Sequence, residues 1–269
     1  MEKNDIILSV ILPCFNHGKY LPEALASVDC SVFRDQIEII IINDGSTDIH
    51  TNEVIDKLDT QKYIVIKQEN QGLAHSRNNG ILKAKADYVL MLDADNYIEP
   101  VFITDFFDFC KKGVEFDGFF GDQKRFGEEN YVRKQGPMDF YKILFGNHID
   151  ACAIFRRQKL LEVGLYDADI PFMGIEDWDL WLKLNTNNAK IIYKNKVYFN
   201  YRVLNNSMIR SINHEHADIL INYIQQKHKI NPILINKAVD SYCNYYLSFT
   251  KVLELLLKKL ITKLKLRFN

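Results

Sequence analysis

Four short, unbroken apolar runs constrain this chain more than any other feature: ILSVILP (7–13), IEIIIIN (37–43), YIVIKQ (63–68) and YVLML (88–92). Continuous runs rich in β-branched residues are expected as strands buried on both faces, as in a parallel sheet. Between them lie helix-like stretches, YLPEALASV (20–28), HTNEVIDKL (50–58) and LAHSRNNGILKAKA (73–86). Such alternation predicts a doubly wound, Rossmann-like α/β fold with a mostly parallel sheet flanked by helices. Ligands of such sheets sit beyond the carboxyl ends of the strands. Polar residues collect at those ends: Pro13 to Asn16, Asn43 to Ser46, and Asp93-Ala94-Asp95.

Further along, FDGFFGD, ACAIFRR and KVYFNYRV are expected as strands, with a mixed polar stretch separating the first two over 123–135. EDWDLWLKL (176–184) predicts a helix whose Trp178 and Trp181 face the core, and the chain reads as helical from about Asp218 onward. The expected organisation is an α/β domain over 1–215 and a helical C-terminal extension over 216–269. With 47% hydrophobic and 26% charged residues, the chain can bury a core. A net charge of −1 argues against nucleic acid as a partner. Five scattered cysteines without a C-x-x-C pair predict free thiols, not a disulfide framework or zinc site. No secretory signal or membrane-spanning run is evident, so a cytoplasmic location is expected.

Asp93 and Asp95 pose the chemical question. At the end of an extended run, residues i and i+2 point the same way. Two anions there would repel by roughly 3 kcal/mol at an effective dielectric near 20. A hard cation, Mn²⁺ or Mg²⁺, would resolve the conflict by bridging carboxylate to substrate phosphate. Solvated loop acids or helix caps are the alternative.

PCFNHGKYLPEALAS, NDGSTD, ENQGLAHSRNNGI, LDADN and GIEDWDLWLKL occur in an order and at spacings that resemble the family 2 inverting glycosyltransferases of the GT-A fold, over residues 7 to 210. The resemblance implies a metal-dependent, non-processive enzyme that moves a sugar from a nucleotide-diphosphate donor, expected to be UDP-linked. It implies that Pro13, Phe15 and the side chain of Asn16 border the nucleotide. Asp44 would hydrogen-bond the base, and Arg77 would meet the base or the diphosphate. Asp93 would contact the nucleotide sugar beside Ala94, and Asp95 would face the metal. Asp177 falls where the general base sits, at a helix start whose dipole, worth about 0.3–1 kcal/mol, would keep it ionised. Glu176 would orient the base or the acceptor. His148, Asp150 and Trp178 are candidate acceptor contacts, Trp178 by stacking on a sugar ring. Arg202, Ser207 or a nearby His of the closing segment would approach the phosphates, and His214 and His216 would supply a late metal ligand or start a solvated helix.

Asn43 and Asn96 stand where acids are common in the family, and the Q-x-x-R-W motif of processive synthases is absent. The acceptor implied is a hydroxyl of a glycan or a lipid-linked oligosaccharide. Residues 251–269 carry Lys251, Lys258, Lys259, Lys263, Lys265 and Arg267 against Glu254 alone. At 100° per residue, Leu253, Leu256, Leu257, Leu260, Ile261, Leu264 and Phe268 share one face. Such a helix suits an anionic membrane surface, its own catalytic domain, or a second copy in a homodimer. Two rival readings stand beside the transferase: a nucleotidyltransferase, or a scaffold that keeps the fold without catalysis.

Overall fold

The computed structural model describes residues 5–204, 214–231, 233–237 and 239–240. The four apolar runs form β1 (Leu8–Cys14), β2 (Ile37–Asp44), β3 (Tyr63–Gln68) and β4 (Tyr88–Met91). They pair in parallel in the order β3-β2-β1-β4. Helices α1 (Leu21–Asp29), α2 (Ile49–Asp56) and α3 (Leu73–Lys83) connect them. The unbroken apolar character of β1 and β2 follows from two cores. Val10, Leu12, Ile39 and Ile41 pack on one side with Leu25 and Phe102; Ile11, Ile40 and Ile42 pack on the other with Ile81 and Trp181. β3 departs from the expectation of burial on both faces. It is the sheet's edge, and its side chains are half-buried or exposed.

The second half mixes directions. β5 (Tyr97–Ile98) and α4 (Pro100–Lys111) precede β6 (Gly118–Gly127), β7 (Tyr131–Arg133) and α5 (Phe140–Ile143). Then come β8 (Ile154–Arg156), α6 (Arg157–Glu162), α7 (Glu176–Thr186), β9 (Ile191–Val203) and α8 (His214–Lys227). The sheet runs β3-β2-β1-β4-β8-β6-β9-β5, with β7 paired to β6. β8 is antiparallel to both β4 and β6, whereas β6 and β9 are parallel. The polar stretch 123–135 is not a plain separator. β6 continues to Gly127 and β7 returns along it, because β9 supplies the pairing that composition does not. Helix α4 is also unforeseen. Proline opens it, and Phe102, Ile103, Phe106 and Phe107 form its buried face. Among the described residues no helix is long and apolar enough to cross a membrane.

Candidate active site

The carboxyl ends of β1, β2 and β4 and the start of α7 line one cleft of about 780 Å³, a volume typical of small-molecule sites. Asn16 takes a left-handed turn, φ 57°, just past β1. Its Oδ1 accepts from the amides of Thr47 and Asp48, each at 2.9 Å, and its Nδ2 donates to Thr47 Oγ1 at 3.2 Å. The side chain expected to border a nucleotide therefore ties two loops together. Pro13 and the exposed Phe15 present this edge of the cleft instead. Asp44 accepts from Gln68 Nε2 at 2.7 Å and from the amides of Gln71 and Gly72 at 2.9 Å. A carboxylate offers about four lone-pair directions, so one remains for a donor in the cleft. Asn43 serves the turn, its Oδ1 accepting from Ser46 N at 3.0 Å.

Asp93 and Asp95 do not share an extended strand. β4 stops at Met91, and Asn96 N donates to Asp93 O at 3.0 Å to close a turn. The two carboxylates have different partners. Asp93 meets Arg77 at 2.9 Å, while Asp95 lies 3.7 Å from His17 Nδ1. Arg77 is 1% exposed and gives its other terminal nitrogen to Glu176 at 2.8 Å. Expected to meet base or diphosphate, Arg77 has both terminal nitrogens on protein carboxylates and joins the two acidic motifs, Asp93 lying 16 residues and Glu176 99 residues from it in sequence. Burial opposes its charge, but Asp93 foremost and Glu176 hold it well above the usual range. Burial and then Asp93 push the Asp95 carboxyl up to about 6, against the pull of His17 and Arg202.

Asp177 stands in the first turn of α7. Its Oδ1 accepts from Trp178 N at 2.8 Å and its Oδ2 from Asn147 Nδ2 at 2.7 Å. Asn147 is itself oriented, its Oδ1 accepting from Ile149 N at 3.1 Å. Burial first, then the charge of Glu176, raise Asp177 well above the carboxylate range, and Arg77 pulls it down. The helix dipole is expected to favour the ionised form; burial and Glu176 act against that expectation. Asp150, also in the cleft, accepts from Cys152 N at 3.0 Å and Gln123 Nε2 at 3.2 Å.

The cleft brings together Pro13, Phe15, Asn16, Asp44, Arg77, Asp93, Ala94, Asp95, Asp150, Glu176 and Asp177. Trp178 and His148 are not among its walls. Successive helical residues turn by about 100°, so with Asp177 toward the cleft Trp178 enters the core, where its indole donates to Ile143 O at 2.6 Å. His148 is buried away from the cleft, and burial lowers it to about 4. Its neighbour Asn147, which the sequence reading did not single out, is the residue that meets Asp177. His17, Tyr20, Met173 and Tyr201 also line the cleft; the rule of strand carboxyl ends could have found His17, just past β1. Arg202 grips the acidic turn, its Nε donating to Asp95 O at 3.0 Å and its amide to Asn96 Oδ1 at 2.8 Å. His216 stacks on Phe172 with centroids 4.0 Å apart. Ser207 and the His214 side chain lie outside the described residues.

Among the described residues no three His, Cys, Asp or Glu side chains cluster as a complete metal site. The donor set nonetheless fits a hard cation that takes its other ligands from phosphate. Asp95 offers carboxylate oxygen at the cleft, and burial first and the charge of Asp93 second raise its proton affinity, so a bound cation would offset part of that charge.

Comparison with known proteins agrees with this geometry. The model for "Glycosyl transferase family 2" matches residues 9–164. The chain is 28% identical to glycosyltransferase GlyA of Streptococcus pneumoniae over 76% of its own length and 31% of that protein. It is 27% identical to an uncharacterized glycosyltransferase of Haemophilus influenzae over 79% of its length and 70% of that protein. It is also 28% identical to the poly-beta-1,6-N-acetyl-D-glucosamine synthase of Staphylococcus aureus, over 70% of this chain and 48% of that one. The chain thus spans under half of two of these relatives. A crystal structure of S. aureus TarS 1-349 in complex with UDP-GlcNAc has the same fold, with a TM-score of 0.67, 20% identity, and coverage of 90% of this chain and 73% of that one.

Proposed function

This chain belongs to glycosyl transferase family 2, and from that premise we propose that its cleft takes a UDP-sugar and moves the sugar, with inversion, to an acceptor hydroxyl. The observation that carries the reading is the Arg77 bridge, which brings the Asp93–Asp95 turn and the Glu176–Asp177 pair to one cleft. The ligand named for TarS and the product named for the staphylococcal synthase make UDP-GlcNAc the first donor to test.

Asp44 keeps one lone-pair direction for a base N–H. Asp95, with Asp93 beside it, would hold Mn²⁺ or Mg²⁺. Bound there, the cation supplies positive charge to a departing diphosphate. Asp177 takes the proton of the attacking hydroxyl as the glycosidic bond forms. Its raised proton affinity suits that task, because a base works best with a pKa near the operating pH. Asn147 holds the carboxylate in one orientation, while Glu176 and Asp150 offer hydrogen-bonding edges to the acceptor. The acceptor class that suits such a site is a glycan or lipid-linked hydroxyl, with residues 216–269 as a helical C-terminal extension, its first helix packed on the α/β domain, and the basic segment 251–269 meeting an anionic membrane.

Calorimetric titration of UDP with Mn²⁺, then with chelator, tests the reading. Binding that needs the metal and disappears in Asp95→Ala is expected. Failure of every nucleotide to bind would leave a scaffold that keeps the fold without the chemistry.

A further inference from the structure

The segment that delivers Glu176 and Asp177 to the cleft is long and has little secondary structure of its own. Between Tyr166 and the start of α7 the backbone forms bends and no regular element. Exposed Met173 lies on it, and Gly174 turns it at φ 115°. Arg77 holds its cleft side through Glu176. On the opposite side it is held by α8, which lies beyond the residues matched by the family model.

Lys227, in the last turn of α8, bonds two carboxylates at once. Its Nζ donates to Asp167 Oδ2, before the loop, and lies 2.8 Å from Asp179 Oδ1, in the first turn of α7. Asp179 is wholly buried and also meets His228 Nε2 at 2.8 Å and Lys183 Nζ at 2.9 Å. The Tyr223 hydroxyl donates to Asp167 at 2.6 Å, and His216 stacks on Phe172 midway along the loop. One ammonium therefore closes a loop whose two ends are twelve positions apart, with the proposed base two residues inside it.

Building on the proposed transfer reaction, we propose that Lys227 is a positioning residue for it: by stapling Asp167 to Asp179, it fixes the loop that places Glu176 and Asp177 against donor and acceptor. The staple acts on chemistry more than on nucleotide binding. The residues proposed to face the nucleotide lie outside the stapled loop: Pro13 on β1, Phe15 just past it, and Asp44 at the end of β2.

The test compares the full chain with Lys227→Met, Lys227→Arg and Tyr223→Phe. Three quantities are read: amide hydrogen exchange over 167–179, UDP affinity with Mn²⁺, and release of UDP from UDP-GlcNAc with water as acceptor. Lys227→Met is expected to speed exchange at 172–177 and to lower turnover by roughly ten- to a hundredfold, the scale of a misplaced catalytic group. UDP affinity is expected to stay within about threefold, because uniform binding is not what the staple serves. Lys227→Arg, whose fork can span two carboxylates, is expected to recover most of both losses, and Tyr223→Phe to show a smaller effect in the same direction. Unchanged exchange and turnover in Lys227→Met would overturn the staple. So would a parallel loss of UDP affinity, turnover and thermal midpoint that Lys227→Arg does not recover. An unmodified chain that binds no nucleotide and releases no UDP would count against the transfer reaction, whereas exchange at 172–177 would still decide whether Lys227 holds the loop.

Discussion

At the scale of single residues, the hydrogen bond from Asn147 to Asp177 has a consequence for pH. Asp177 works as a base only when ionised, and burial with Glu176 nearby holds its proton affinity well above the carboxylate range. Activity must therefore fall as pH drops through that raised value, so the acidic limb of the kcat/KM profile is expected nearer neutrality than a free carboxylate would place it. Asn147 donates to the charged form at 2.7 Å and so favours it. Asn147→Ala is expected to move the limb to higher pH by about one unit, the scale of a hydrogen bond to a charged group. Asp177→Asn is expected to cost about 10²–10⁴ in kcat with UDP binding intact. An acidic limb unmoved by Asn147→Ala, or full turnover in Asp177→Asn, would take the base role from Asp177.

At the scale of elements, the approach of α3 to β1 sets where Arg77 sits. A Cβ built on Gly80 would lie 2.4 Å from Ile11 Cγ2, and Ile11 is fully buried on a central strand. Ala normally favours a helix interior over Gly by about 1 kcal/mol. Here the clash opposes it, and overpacking a tight core costs about 1–3 kcal/mol. Gly80→Ala is thus expected to lower stability in urea denaturation despite the better helix former, and a gain would show that α3 can back away from the sheet. The same contrast between local and long-range forces explains what the sequence made legible. β1 to β4, α3 and α7 carry their periodicity locally, and the acids at their ends could be placed on that basis. Which carboxylate Arg77 would meet depends on α7 arriving from 99 residues away. His148 and Trp178 each adjoin a residue that does reach Asp177 or the cleft, and a one-residue error on a turn or helix reverses the direction of a side chain. The end of β6 is polar and β7 is only three residues long; their strand character comes from pairing.

At the scale of the whole molecule, the first four strands form the parallel sheet that their composition predicts, whereas the change of direction at β8 comes from its pairing between β4 and β6. Charge is likewise distributed unevenly along the chain. The six basic residues and one acid of 251–269 give that segment +5 and leave −6 on the remaining 250 residues. Residues 251–269 lie outside the described residues; their sequence alone sets this charge and the apolar face. Each Lys or Arg near an anionic leaflet contributes about 1 kcal/mol, and this attraction is screened over a Debye length. The leucine-rich face adds burial that salt does not screen. The full chain is therefore expected to float with vesicles containing anionic lipid, to release in part as salt rises, and to bind neutral vesicles weakly. Changing both Lys258 and Lys259 to Glu would leave the segment at +1 and is expected to abolish flotation without altering UDP affinity, because the proposed nucleotide site lies at the ends of β1, β2 and β4. A chain that sediments alike with neutral and anionic vesicles would instead leave the apolar face to protein contact, which analytical ultracentrifugation of the same two proteins would then read as a monomer or a dimer.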